Sequence, residues 1–150
     1  MKPESLSIHE ILAFAPHRPP MVWVDEITHF QKDGGECLVH VRDDAHYMSP
    51  NGLRPSACVE IIAQAYGFSS ICYTTRVLRP DAQPLKRALL VSFKNVRFAR
   101  RELFAQVKAN SSLRVPITGA RQIGPITLFQ GWVLHGPVEL CQAQLKVYSE

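Results

Sequence analysis

An imidazole and a carboxyl, His46 and Glu60, stand fourteen residues apart, and Glu60 is the one charged side chain between Pro55 and Thr75. That stretch, PSACVEIIAQAYGFSSICYTT, is apolar almost all round, the signature of a buried helix. A carboxylate placed there costs several kcal/mol unless it is partnered. Burial favours the neutral form of a carboxyl, so an acid in this setting can hold and donate a proton. An imidazole is the natural base at ordinary pH. Together the two suit a reaction that removes one proton and delivers another.

The elements that must position the pair follow from punctuation and period. Ser7-Ile-His-Glu10 before Ile11-Leu12 reads as a capping box opening a short helix, ended by Pro16 and kept closed by Pro19-Pro20. Residues 21–30 and 36–43 are strand-like, joined by the hairpin signal Lys32-Asp33-Gly34-Gly35. A turn-rich loop, 44–54, carries His46 and delivers the chain to the long helix, with Pro55 suited to a first helical position. On that helix Cys58, Ile61, Ile62, Ala65, Phe68, Ser69 and Cys72 share one face, and Glu60, Gln64 and Gly67 form a polar stripe that suggests a slot. After a polar connection at 78–87 the pattern predicts strands at 89–98, 102–113, 126–135 and 139–149, with a turn region from Arg114 to Pro125. The fold class is therefore α+β: one buried helix against a single large antiparallel sheet, in a single domain spanning 1–150.

Bulk properties exclude several functions. With 46% hydrophobic and 20% charged residues the chain is not expected to be a disordered tail, and Glu60, Gln64 and several Ser and Thr argue against residues 55–75 as a membrane span. The start MKPESLSIHEI lacks a secretory signal, so a cytoplasmic location is expected. Cys37, Cys58, Cys72 and Cys141 show no metal-binding spacing and read as reduced thiols that pack as small apolar residues. No metal or cofactor is expected. Net charge is +4, with Arg76, Arg79, Lys86, Arg87, Lys94, Arg97, Arg100, Arg101 and Lys108 clustered. Such a cluster is either a solvated surface or a docking face for an acidic partner. Nucleic acid is not expected, because no recognition motif accompanies the charge.

Two motifs point to a family. Ala15-Pro-His-Arg-Pro-Pro-Met-Val-Trp-Val-Asp25 resembles the PHR-x-P-(apolar)-VD segment of the hotdog-fold 3-hydroxyacyl-acyl carrier protein dehydratases. His46 followed by Val59-Glu-Ile-Ile-Ala-Gln64 resembles their H…(14)…E-x-x-A-Q site. Phe93-Lys-Asn-Val-Arg-Phe98 and the closing VELCQAQLKVYSE resemble later strands of that family. Within it, the divergent ApeP-like branch of aryl polyene-type pathways is the most similar.

The resemblance implies a curved sheet wrapped around the long helix and a homodimer or heterodimer of hotdog subunits. It implies a substrate thioester carried on the phosphopantetheine of acyl carrier protein, dehydrated to the 2-enoyl form. His46 of one subunit and Glu60 of the other would be catalytic. Gln64 would orient Glu60 or a water, and Met21, Tyr47 and Met48 would contact substrate. Pro55 stands where the family places a Gly whose N–H binds the thioester carbonyl; having no N–H, it leaves that role to Ser56 or Ala57. Arg97, Arg100 and Arg101 would dock the carrier protein. His17, inside the PHR motif, is expected to fix the turn before the first long strand. His9, His29, His40 and His135 read as structural or exposed. The alternatives are an acyl thioesterase using Glu60 on water, or a catalytically weak subunit paired with an active homologue.

Overall fold

The structure, a computed structural model, describes residues 5–150. The capping box forms as expected: Ser7 Oγ accepts from His9 N–H at 3.3 Å, and Glu10 accepts from Ser7 N–H at 2.9 Å. It opens a 3-10 turn, Ile8–Glu10, followed by a second, Leu12–Phe14, and not an α-helix. Strand β1 (Leu6–Ser7) immediately before it and Pro16 after it leave too little chain for an α-helical ladder.

Strand β2 (Glu26–Gln31) pairs with β3 (Gly34–His40) across Lys32-Asp33. It starts five residues later than the pattern predicts, because the backbone of Met21 and Trp23 is hydrogen-bonded to a helix side chain instead of a strand. The turn-rich loop folds into a minimal ladder, β4 (Met48–Ser49) and β5 (Gly52–Leu53). Helix α1 (Ala57–Tyr73) then begins after Ser56, two residues beyond Pro55, and runs on into a π-helical turn, Thr74–Leu78.

The second half contains β6 (Ala88–Phe98), the short helix α2 (Arg101–Phe104), β7 (Ser112–Ile123), β8 (Ile126–His135) and β9 (Val138–Ser149). Here the sequence misleads in two places. The strand expected at 102–113 is α2 and a loop that buries Phe104 and Val107, and the turn region expected at 114–125 is most of β7. Pro116 lies opposite Glu36 of β3, and Gly119, at φ +68°, sits in an irregularity between Thr118 and Arg121. A bulge accepts a glycine at positive φ without ending the strand.

The seven long-sheet strands run antiparallel in the order β1-β2-β3-β7-β8-β9-β6. Helix α1 lies across this sheet, and all seven residues of its expected apolar face are buried. Gly131 on β8 permits the close approach: a Cβ there would stand 2.4 Å from Ile62 Cγ2 and 2.7 Å from Ile117 Cδ1. Among the described residues no helix is long and apolar enough to cross a membrane.

The two edges differ. The β1 edge is two residues long, whereas β6 presents eleven residues whose outer edge is unpaired among the described residues. Leu89, Val91 and Phe93 on it are each about half exposed. A long apolar edge of this kind is a template for another strand.

All four cysteines are free and buried. Burial pushes the thiols of Cys37 and Cys72 up to about 12, and a mutual hydrogen bond with Cys141 together with burial pushes Cys58 up as well. Below the ordinary thiol value both folded and unfolded chains keep the proton. Above it, the unfolded chain ionises first, so stability falls as pH rises from about 9 toward 12, by about 1.4 kcal/mol per unit for each such thiol. The native protein should therefore resist a thiol reagent at pH 8 and react at all four positions once unfolded. Denaturant midpoints measured from pH 8 to 10.5 should decline.

Candidate active site

Glu60 lies in the first turn of α1, on the flank that faces β6 at the sheet's edge and not the central strands. Its side chain is about one-third exposed, so it is a partly solvated group at the floor of a cleft and not the fully buried carboxyl that the apolar stretch suggests. Ala63, Gly67 and Ser70 continue the same flank of the helix. Leu85 and residues Ala88 to Leu90 of β6 form the opposite wall. Tyr66 closes one side, its ring stacked on Phe129 with centroids 4.3 Å apart. The slot expected from the polar stripe exists, with Gln64 turned away from it.

Gln64 is 1% exposed, and its amide is fully committed. Its Oε1 accepts from Trp23 N–H at 2.9 Å, while Nε2 donates to Met21 carbonyl at 2.8 Å and to Glu60 Oε1 at 3.0 Å. The backbone partners fix which end of the amide is which, since an N–H needs an acceptor and a carbonyl a donor. Glu60 Oε1 is thereby held, and Oε2 has no protein partner among the described residues.

The loop bearing the PHR motif supplies the second group. Arg18 fixes the turn: its guanidinium donates to the carbonyls of Leu12, Ala15 and His17 at 3.2, 2.7 and 2.6 Å. His17, expected to do that job, points instead into the cleft, with Nε2 3.7 Å from Glu60 Oε1. Its ring meets Phe68 edge-on at 5.6 Å, and Nδ1 is buried with no hydrogen-bond partner among the described residues. Forty-three residues separate His17 from Glu60, so no spacing pattern announces the contact.

The remaining expected residues lie elsewhere. His46 is exposed, and within one chain it lines a different groove, with Pro19, Pro20, Asp25 and Arg42. Tyr47 and Met48, expected along the substrate tunnel, are core residues in this chain. The Tyr47 hydroxyl accepts from Arg42 N–H and donates to His40 carbonyl, and its ring packs edge-on to Trp23. Met21 is exposed, and its carbonyl is the part that serves the site, through Gln64. Ala57 N–H, expected to be free for a thioester oxygen, donates to Arg54 carbonyl at 3.0 Å, because the chain turns tightly into the helix. Ser56 N–H makes no hydrogen bond among the described residues. Arg97, Arg100 and Arg101 are all exposed at the far end of β6 and the start of α2.

An antiparallel sheet wrapped on one long helix, with a carboxyl in the helix's first turn facing a cleft at the sheet edge, defines a protein of the hotdog fold. More narrowly, the chain belongs to the ApeP-like dehydratase family, whose model, described as ApeP dehydratase, matches residues 9–150. The fold is similar to that of the dehydratase heterocomplex ApeI:P from Xenorhabdus doucetiae, at 20% identity over 97% of this chain and 91% of that one, with a TM-score of 0.80. It is also similar to the E. coli PaaI protein from the phenylacetic acid degradation operon, at 11% identity, 81% and 80% coverage and a TM-score of 0.54. At these identities the likeness is one of fold. Comparison with curated proteins gives no match.

Replacing Gln64 by Leu would strand the buried Trp23 N–H and release Glu60. A loss of about 1–3 kcal/mol of stability is expected, read as a lower denaturant midpoint.

Proposed function

We propose that this protein dehydrates 3-hydroxyacyl thioesters carried on acyl carrier protein, paired with a second hotdog subunit along β6. The observation that carries the reading is the Glu60 carboxyl, oriented by Gln64 on the floor of an apolar cleft whose outer wall is an unpaired strand. Dehydration breaks the C2–H bond of the acyl chain, forms the C2–C3 double bond and expels the C3 hydroxyl as water. It needs a base for the carbon-bound proton and an acid for the leaving hydroxyl. Glu60 is the acid, its Oε2 being free of protein partners. Two imidazoles are candidates for the base: His46, brought by a second subunit, and His17, already beside Glu60. The enolate-like oxygen takes a hydrogen bond from Ser56 N–H at the start of α1, where the helix dipole also favours negative charge.

Membership of the ApeP-like dehydratase family and the fold shared with a dehydratase heterocomplex support this reading. Purified protein, alone and with a homologous hotdog subunit, should convert 3-hydroxyacyl thioesters to 2-enoyl thioesters. Glu60→Gln should lower the rate by 10²–10⁴-fold, the usual range for removing a general acid. Release of free thiol and acid without enoyl product would identify a thioesterase instead.

The partner surface follows from β6. Leu89, Leu90, Val91 and Phe93 put apolar side chains on an edge whose N–H and C=O groups have no strand beside them. A second subunit laid antiparallel along this edge would complete the ladder and roof the cleft. Pairing with a second copy would also bring the Arg97 end of its β6 toward the cleft mouth. Those arginines would then meet an acidic carrier protein where its thioester must enter. Val91→Lys should shift the sedimenting species to monomer and abolish turnover. Reversing charge at Arg97 and Arg100 should raise KM for carrier-bound substrate several-fold while sparing small thioester mimics.

A further inference from the structure

We propose that the face of the sheet turned away from α1 binds a small molecule carrying two phosphate groups, in a groove that crosses β7, β8, β9 and β6. This groove lies apart from the Glu60 cleft, and its occupancy is independent of the dehydratase reading. Phe129 and Leu145 are buried on the α1 side of the sheet, the Phe129 ring lying against Tyr66. Strand alternation therefore turns their neighbours Leu128, Gln130, Gln144 and Lys146 to the opposite face. Cross-strand register sets these side chains in two rows. Ser92, Lys146, Leu128 and Arg121 form one row, and Lys94, Gln144, Gln130 and Thr118 the other. The ladder shifts register on both sides of Ser92 and Lys94 in β6, and between Thr118 and Arg121 in β7. Such irregularities bend a strand and raise its twist, so both walls curl. The outcome is a concave groove of about 300 Å³. Small-molecule sites begin at about that size.

The chemistry of the lining is that of an anion site. Lys94, Arg121 and Lys146 supply three positive charges, and no carboxylate lines the groove. Among the described residues none of the three makes an ion pair, whereas Arg87 and Arg114 are held by Glu150 and Glu36. The Gln144 amide is already oriented: its Oε1 accepts from Asn95 at 3.0 Å, so Nε2 is the end left to donate. Ser92 and Thr118 add hydroxyl donors at either wall. Strand spacing roots the three cations about 8–10 Å apart. Two linked phosphates match that spread better than one, and phosphate oxygens accept from ammonium, guanidinium and amide alike. Sheets that hold single-stranded nucleic acid stack bases on exposed aromatic rings. The one aromatic in this lining, Phe129, is buried on the other side, which favours a small anion over a nucleic acid. A second subunit paired along β6 leaves the groove open, since strand pairing uses in-plane N–H and C=O groups and not the face.

The test is titration calorimetry of the purified protein with pyrophosphate, inorganic phosphate and citrate. Pyrophosphate should bind saturably, at one site per subunit, about tenfold or more tighter than inorganic phosphate. Absence of saturable pyrophosphate binding overturns the proposal. Citrate, which offers carboxylates alone, should bind more weakly, and equal or tighter citrate binding overturns the assignment to phosphate. The double variant Lys94→Gln, Lys146→Gln should weaken pyrophosphate binding by about tenfold, and Arg121→Gln several-fold. The double variant Arg76→Gln, Arg79→Gln removes the same charge outside the groove and should stay within about twofold of wild type. Equal weakening by the two double variants would mark a general attraction to net charge and overturn the site. A titration of the wild-type protein followed by NMR covers the case of variants that fail to fold. Pyrophosphate should shift the backbone amides of Ser92, Thr118, Gln130 and Gln144; shifts confined to other surfaces overturn the proposal.

Discussion

One buried amide organises this molecule. Gln64 spends both of its donors and its acceptor on the loop at Met21 and Trp23 and on the Glu60 carboxyl. Those bonds tie the N-terminal segment to the central helix and orient the Glu60 carboxyl of the candidate site in a single stroke. Because no part of the amide is spare, the helix cannot turn about its axis without stranding a buried polar group. The late start of β2 has the same origin, as the backbone that would have continued the strand is held by this side chain. Fold and chemistry are joined at one residue.

The sequence was most legible where period and punctuation coincide. The apolar face of α1, the hairpin at Lys32-Asp33 and the strand 126–135 all appear where pattern places them. It misled where a residue usually found at turns sits inside a ladder. Pro116 and Gly119 read as the end of a strand, yet pairing on both sides carries β7 through them. At Pro55, helix-start chemistry was right in kind and early by two residues. Boundaries of that sort depend on partners far away in the chain.

The site was half legible. Glu60 stood out because it is alone in an apolar run, and Gln64 because it lies one turn beyond. Their contact is local and follows from helical spacing. His17 did not stand out: its meeting with Glu60 depends on how a non-repetitive loop is folded by Arg18, and no period encodes that. The same loop argument explains Ala57. From sequence its N–H belonged to the helix start, but the tight turn at Arg54 consumes it. Among the described residues this leaves Ser56 N–H as the unbonded amide just before α1, a sparser helix start than a glycine-led one would offer.

The apolar rim of β6 also bears on how the chain must be made. A strand of eleven residues with Val91 and Phe93 in solvent attracts any other unpaired strand it meets, including those of half-folded neighbours. Copies that leave that rim bare are therefore exposed to clumping and to proteolytic clearance. An edge of this length and composition sets a solubility limit that rises or falls with the exposure of those few side chains.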